Sequence, residues 1–395
     1  MENGRLGKAG YPNFHLLSSI SQHPSMRLGL IYHQFIPRGG LEGYLMEFTT
    51  RLCAAGHEVH IVAAEASDVL AREIGVTLHR VPLMKGSPML RMWQFNSAAA
   101  RMAGELPVDV TIGFGRTTTH DLHRAGGGCH RVYSELLPPW KRWHPKNLLE
   151  LRLEKELYTA GRTKLFVVNS SQVAKQLHEA YGTDERSFRV IHTAVDTARF
   201  KPVEDRATVR AKVCAQLKTD PARPAFLFVS LSHRRKGLDV LLDIWNEVDA
   251  DLWIVGQNLD FSQRLKINRH GLQSKLRVIG AQSQVQALYA SADWFIHPTL
   301  YDACANTVLQ SMSCGLPGIV SVNDGAIDLL RDGENGFLLS HPRDPVSVLT
   351  VVRKALAAGE VTRKAMGLAA RQTMLPLTWD AHLDKWFDVI AGLKP

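Results

Sequence analysis

Two stretches of this chain carry residue types arranged for chemistry. In SHRRKG (232–237), Arg234, Arg235 and Lys236 stand just before a helix, and Gly237 relieves the turn. Such a cluster suits a diphosphate, with guanidinium for bidentate contact and ammonium as a point charge. The second stretch, HPTLYDACANTVLQSMSCGLP, runs from His297 to Pro317. Pro298 ends a buried strand closed by Trp294, Phe295 and Ile296, because proline cannot continue a central ladder. The spacing predicts one helix from there to about Met312, with Gly315 and Pro317 as the stop. On it Asp302, Asn306 and Gln310 stand four apart and stack on one polar face. Ala305, Val308, Leu309 and Met312 form the adjacent apolar stripe. A polar ladder opening a helix after a parallel strand sits where open α/β sheets bind ligands. Solvated surface would also explain both stretches on spacing alone.

Weaker signals lie upstream. Gly39-Gly40 opens a helix at the first strand-to-helix turn, where backbone N–H groups can approach phosphate, although a simple tight turn needs the same glycines. GFGRTTTHDLHRAGGGCH (113–130) gathers His120, Asp121, His123 and His130 around three glycines at a strand end. The histidine spacing matches no zinc motif, so no metal is expected. In LLPPWKRWHPKNLLELRLEKELY (136–158), Trp140, Trp143, Lys141, Arg142 and Lys146 adjoin a leucine-rich helix. Aromatic anchors beside basic residues suit an anionic membrane interface, as does a core helix with a wet basic edge.

The elements that must position these residues alternate strand and helix twice. Strands are expected at 28–32, 59–63, 76–81, 108–114, 164–169 and 189–192, then again at 225–230, 252–256, 276–280 and 318–322. That rhythm predicts an α/β chain of two facing, doubly wound Rossmann-like domains with a cleft between them. The expected boundaries are a leader over 1–25, a first domain over 26–200, a nucleotide-binding domain over 201–375 and a C-terminal helix over 376–395 packing back on the first domain. The leader is expected to be disordered or to precede the native start at Met26.

At 395 residues the chain exceeds one ordinary core, and 45% hydrophobic with 22% charged residues is a globular composition. Lys+Arg outnumber Asp+Glu by 47 to 38, and the net +9 favours an anionic partner. The five scattered cysteines, Cys53, Cys129, Cys214, Cys304 and Cys314, read as reduced cytoplasmic thiols. No apolar run approaches the roughly 18 residues of a membrane span.

The second half, from SHRRKGLDVLL through LWIVGQ to the stretch ending DGENGFLL, resembles the family 4 glycosyltransferases of the GT-B fold. GGLEGYLMEF and the GFGRTTTHDLHRAGGGCH stretch are similar to the lipopolysaccharide core glucosyltransferase I group, and the likeness spans about residues 26–390. The resemblance implies a retaining, metal-independent transfer of a hexose from a nucleoside diphosphate sugar, UDP-glucose or similar, to a lipid-linked or lipopolysaccharide core acceptor. It implies no cofactor beyond that co-substrate, no nucleic acid partner, and a cytoplasmic site on the inner membrane face. By the same resemblance Gly39 and Gly40 line the diphosphate, Arg235 and Lys236 neutralise it, and Asp121 lies near the donor sugar and acceptor. Asp302 and Gln310 take the two positions of the family's E-x7-E motif, contacting sugar and ribose, with Ala305, Asn306 and Thr307 between them. Here aspartate and glutamine replace the two glutamates, and Asp328 stands where glutamate is common. The substitutions leave open a degenerate nucleotide- or glycan-binding protein, and the fold leaves open a sugar-nucleotide epimerase.

Overall fold

The computed structural model describes residues 24–36, 40–282 and 284–393, so residues 1–23 of the expected leader and Gly39 lie outside it. The first half forms β1 (Arg27–Ile31), β2 (Gln34–Phe35), α1 (Leu41–Ala54), β3 (Glu58–Ala63), β4 (Glu65–Ala66), α2 (Asp68–Ile74), β5 (Thr77–Arg80) and α3 (Pro88–Glu105). It continues with β6 (Val110–Gly113), β7 (Leu122–Ala125), α4 (His130–Glu135), α5 (Pro139–Arg142), α6 (Pro145–Thr159), β8 (Leu165–Val168), α7 (Ser171–Tyr181) and β9 (Phe188–Val190). Seven of these strands pair in parallel in the order β5-β3-β1-β6-β7-β8-β9.

The second half comprises α8 (Arg206–Leu217), β10 (Ala225–Ser230), α9 (Leu238–Ile244), β11 (Asp251–Gly256), α10 (Phe261–Arg269), β12 (Leu276–Gly280), α11 (Gln286–Ser291) and β13 (Trp294–His297). After these come α12 (Asn306–Ser313), β14 (Gly318–Ser321), β15 (Gly336–Leu339), α13 (Pro345–Ala357), α14 (Gly359–Met374) and α15 (Trp379–Ala391). Its six strands are also parallel, ordered β12-β11-β10-β13-β14-β15. All-parallel sheets need helices on both faces, which is why strands such as AFLFVS and LFVV are nearly continuous apolar runs. Side-chain oxygens of Ser67, Ser87, Ser170, Asp205, Asp260, Asp344 and Thr378 cap the helices that follow them.

The chain changes core twice. Ile191 and Ala194 pack with the first sheet, whereas Val195 and Phe200 pack with the second. The outgoing crossing therefore falls a few residues before the composition-based boundary at 200. On the return, Trp379, Leu383, Trp386, Phe387 and Ile390 of α15 bury themselves among Leu28, Leu45 and Phe48. The two crossings run side by side, tied by Val195 N donating to Leu377 O at 3.0 Å.

Three expectations need correction. The helix after Pro298 does not start there but at Asn306, so Asp302 is not stacked above Asn306 and Gln310. Its backbone is already committed: Asp302 N donates to Asn323 O, Gly325 N donates to Asp302 O, and Asp324 Oδ1 accepts Ala305 N, all at 3.0 Å. A segment paired with a neighbouring loop cannot also make i→i−4 bonds. Second, LHRA in the histidine stretch, absent from the expected strands, forms β7, an interior strand between β6 and β8. Third, that strand moves Asp121 to the wrong end of the sheet for a site residue, as described next.

Candidate functional site

The C-terminal ends of the two parallel sheets face each other, which is where doubly wound folds place their sites. On the second domain, the turn after β10 carries SHRRKG. Gly237 adopts φ +83° there, and a Cβ on it would lie 2.1 Å from Pro298 O, so only glycine lets the turn sit against the end of β13. Its three basic residues part company. Arg234 turns outward to Asp260 at 2.8 Å and the Ser262 hydroxyl at 2.7 Å, at the start of α10. Arg235 and Lys236 turn inward.

Arg235 donates to Tyr301 O at 2.7 Å and to Asp302 Oδ2 at 3.0 Å. Lys236 is 8% exposed, contacts the same Asp302 oxygen, and lies 3.2 Å from His297 Nε2. Burial lowers its ammonium to about 7; Asp324 pulls the other way and Arg235 adds to the depression. Burial also holds His297 at about 4, aided by the charge of Lys236. Burial pushes the Asp324 carboxyl up, but His297 and Lys236 outweigh it and keep it below the usual carboxylate range. His297, Asp302 and Asp324 offer ligand atoms within 4.8 Å of one another, a spacing a metal ion would accept. The Lys236 ammonium stands among them, on His297 and Asp302.

Ala305 is the N-cap of α12 and gives it no side-chain cap, so Asn306 and Thr307 open a helix whose first N–H groups point at an anion-ready end. Ala305 N itself is taken by Asp324. Further along, Gln310 Oε1 accepts the Tyr289 hydroxyl at 3.3 Å. Across the cleft, Gly40 is the N-cap of α1 at φ 71°, again without a side-chain cap.

The first domain closes down on this cluster. Ser170 Oγ donates to Ala303 O at 2.7 Å, and Gln172 Nε2 to Val322 O at 2.9 Å. Asp328 accepts Ser171 N at 2.6 Å and the Ser171 hydroxyl, and lies 3.1 Å from His192 Nε2. Gly128 packs so closely that a Cβ would lie 2.2 Å from the Tyr301 hydroxyl oxygen.

Asp121 is not in this gathering. It precedes the first residue of β7, at the entry end of a parallel sheet whose exit end holds the cleft. Its carboxylate accepts Thr111 N at 3.0 Å and pairs with Lys164 at 3.2 Å, tying three strand starts together. Burial raises it, but the Thr111 and Lys164 contacts prevail and hold it below its ordinary value. His120 and His123 stack with centroids 5.1 Å apart inside the first domain, and burial holds both below the ordinary imidazole range. His130 is buried against Asn147 at 2.8 Å and Glu150 at 3.0 Å.

Sequence reasoning missed His297, Asp324, Tyr289 and the Ser171–Asp328–His192 contact. A histidine ending an otherwise apolar strand and an acid inside VND-G were the available signals for the first two. The others join residues more than a hundred positions apart or on separate helices, which no local pattern reports.

Known proteins match along most of the chain. The family described as Glycosyltransferase Family 4 matches residues 38–199, and that described as Glycosyl transferases group 1 matches residues 223–358. A probable transglycosylase of Burkholderia thailandensis is 26% identical over 351 residues, 88% of this chain and 91% of its own. The lipopolysaccharide glucosyltransferase WaaG of Escherichia coli K12 is 21% identical over 342 residues, 84% of this chain and 90% of its own. The crystal structure of WaaG, a glycosyltransferase involved in lipopolysaccharide biosynthesis, superposes with a TM-score of 0.77 at 20% identity, covering 92% of this chain and all of that one. At that identity the likeness establishes the shared two-domain fold.

Proposed function

Because the chain belongs to the family 4 glycosyltransferases of GT-B fold, we propose that it is a retaining hexosyltransferase that uses a nucleoside diphosphate sugar, UDP-glucose or similar, to extend a lipid-linked or lipopolysaccharide core oligosaccharide. The observation that carries this is the inward pair Arg235 and Lys236 gathered on Asp302 at the mouth of the interdomain cleft. Departure of a nucleoside diphosphate builds charge on its oxygens, and cations already fixed in place lower that barrier without reorganising. The uncapped starts of α1 and α12 add backbone donors to the same charge. Asp302 then faces the anomeric carbon as it gains oxocarbenium character, which a neighbouring carboxylate stabilises. Gln310 holds the ribose hydroxyls through its amide. The protein's own cations supply the electrophilic charge, so the proposed reaction needs no metal.

The glucosyl donor and lipopolysaccharide acceptor are supported by the name of the E. coli relative, a lipopolysaccharide glucosyltransferase. Membrane attachment is supported by Trp140 and Trp143, 73% and 71% exposed beside Lys141 and Arg142. Interfacial tryptophans and basic residues suit anionic head groups, so the site of action is the cytoplasmic face of a membrane. The test is transfer from UDP-, GDP- and ADP-sugars to core oligosaccharide, with liposome flotation for attachment. Transfer from none of them would sink the proposal, and equal absence from anionic and neutral vesicles would remove the membrane part.

Gln310 favours a second reading, a protein that binds nucleotide or glycan without turnover. Robust wild-type transfer would remove it.

A further inference from the structure

We propose that Arg124 is the first domain's cationic contact to the donor's diphosphate, opposite Arg235 and Lys236; this rests on the glycosyltransferase reading above. Arg124 lies on β7 and is 5% exposed, and no carboxylate is within ion-pair reach of it among the described residues. A buried charge without a counter-ion is costly, and a guanidinium is the cation whose fork matches a phosphate.

Its contacts are all neutral. The Arg124 Cζ stands 3.5 Å from the centroid of the Tyr44 ring, the side chain meets the Tyr44 hydroxyl, and Nη2 donates to Thr193 Oγ1 at 3.4 Å. His382, whose Nε2 lies 2.7 Å from the same hydroxyl, stays neutral: burial holds it at about 3, and the Arg124 charge adds to the depression. A guanidinium has more N–H groups than these two oxygens can accept. None of its nitrogens is among the buried polar atoms left without a partner, so the spare donors are not sealed in.

Its direction is towards the cleft. Gly126 leaves the guanidinium room at the exit end of β7, where a Cβ would overlap Nη1. Tyr44 N donates to Gly40 O at 3.1 Å, so Arg124 stacks on the residue about one turn, roughly 5.4 Å, below the uncapped start of α1. Across the cleft its charge pulls down the Cys304 thiol, which burial, Asp324 and Asp328 push up; Cys304 immediately precedes Ala305, the N-cap of α12. Arg124 therefore stands between the two helix starts assigned to the diphosphate. Those starts offer partial charges, and the guanidinium adds a whole one.

The test is calorimetry on the full chain with UDP, GDP and ADP, the matching nucleosides, and inorganic pyrophosphate. Arg124→Gln removes the charge and keeps a hydrogen-bonding side chain, whereas Arg124→Lys keeps the charge. The expected result in Arg124→Gln is a loss of about tenfold or more in diphosphate and pyrophosphate affinity with nucleoside affinity unchanged, most of it recovered in Arg124→Lys. On the wild type, the Arg124 Nε–H NMR signal, identified by its absence from Arg124→Lys, is expected to shift with diphosphate and pyrophosphate and not with nucleoside. Wild-type diphosphate affinity in Arg124→Gln, a parallel loss of nucleoside and diphosphate, or an unmoved Nε–H signal overturns the contact alone. Failure of every nucleotide to bind the wild type instead overturns the reading on which it rests.

Discussion

The Asp302 carboxylate receives both the Lys236 ammonium and the Arg235 guanidinium, and it does so from the turn before α12 and not from the helix itself. One carboxylate thus orients the two cations, and an incoming diphosphate must share them with it.

That sharing separates binding from turnover. Asp302→Asn releases the cations, so nucleoside diphosphate affinity is expected to rise, by up to about tenfold for roughly 1.4 kcal/mol. Transfer is expected to fall by about 10²-fold or more as the stabilising charge beside the sugar is lost. Calorimetry with UDP and initial rates read the two effects; a variant in which both stay at wild-type values would remove Asp302 from the site.

Lys236 makes binding sensitive to pH. Burial holds its ammonium at about 7, so above neutrality the nucleotide-free protein loses this charge. A diphosphate favours the charged form, so binding takes up a proton and weakens as pH rises above 7, by at most about tenfold per unit. The sign for stability is opposite. The unfolded chain holds this proton up to about 10.4, so between 7 and about 10 this group makes the folded state more stable as pH rises; below 7 its desolvation cost is fully present. Calorimetry at pH 8 in two buffers of different ionisation enthalpy measures the proton uptake, and equal heats in both would contradict it.

The Gln310 side chain accepts the Tyr289 hydroxyl at 3.3 Å, and the proposed function gives it the ribose. Gln310→Glu is expected to tighten nucleotide binding by about 1–2 kcal/mol, the usual gain of a charged over a neutral hydrogen-bond acceptor. Unchanged affinity for UDP would show that this position does not meet the ribose.

Asp328 bonds Ser171 at the start of α7 and adjoins His192, so it holds the domains together as much as it caps a helix. Burial raises its carboxyl, but these partners prevail and keep it charged. Asp328→Ala is expected to cost about 1.5–3 kcal/mol and to open the cleft. Thermal unfolding and small-angle scattering read both; an unaltered radius of gyration would confine Asp328 to capping.

The two-domain rhythm was legible because parallel strands buried on both faces write themselves as apolar runs, as in AFLFVS and LWIVG. The meeting of Arg235 and Lys236 with Asp302 was legible because all three sit just beyond strand ends in one half of the chain. Asp121 misled because a polar residue between two histidines looks alike at either end of a short strand. LHRA carries too little apolar pattern to declare itself as β7. The early helix start at Pro298 failed because Asp302 pairs with a loop some twenty residues onward, a competition that helical periodicity does not register. Ser171 and Asp328 meet across the cleft, 157 residues apart, and only the folded chain brings them together.

Nucleoside diphosphate release from UDP-, GDP- and ADP-sugars, with and without core oligosaccharide, tests the central claim most directly when wild type and Lys236→Ala are run together. The expected result is turnover with at least one donor, falling about 10²–10³-fold in Lys236→Ala with the fold intact. No turnover from any donor, or near-wild-type rates in Lys236→Ala, would contradict it.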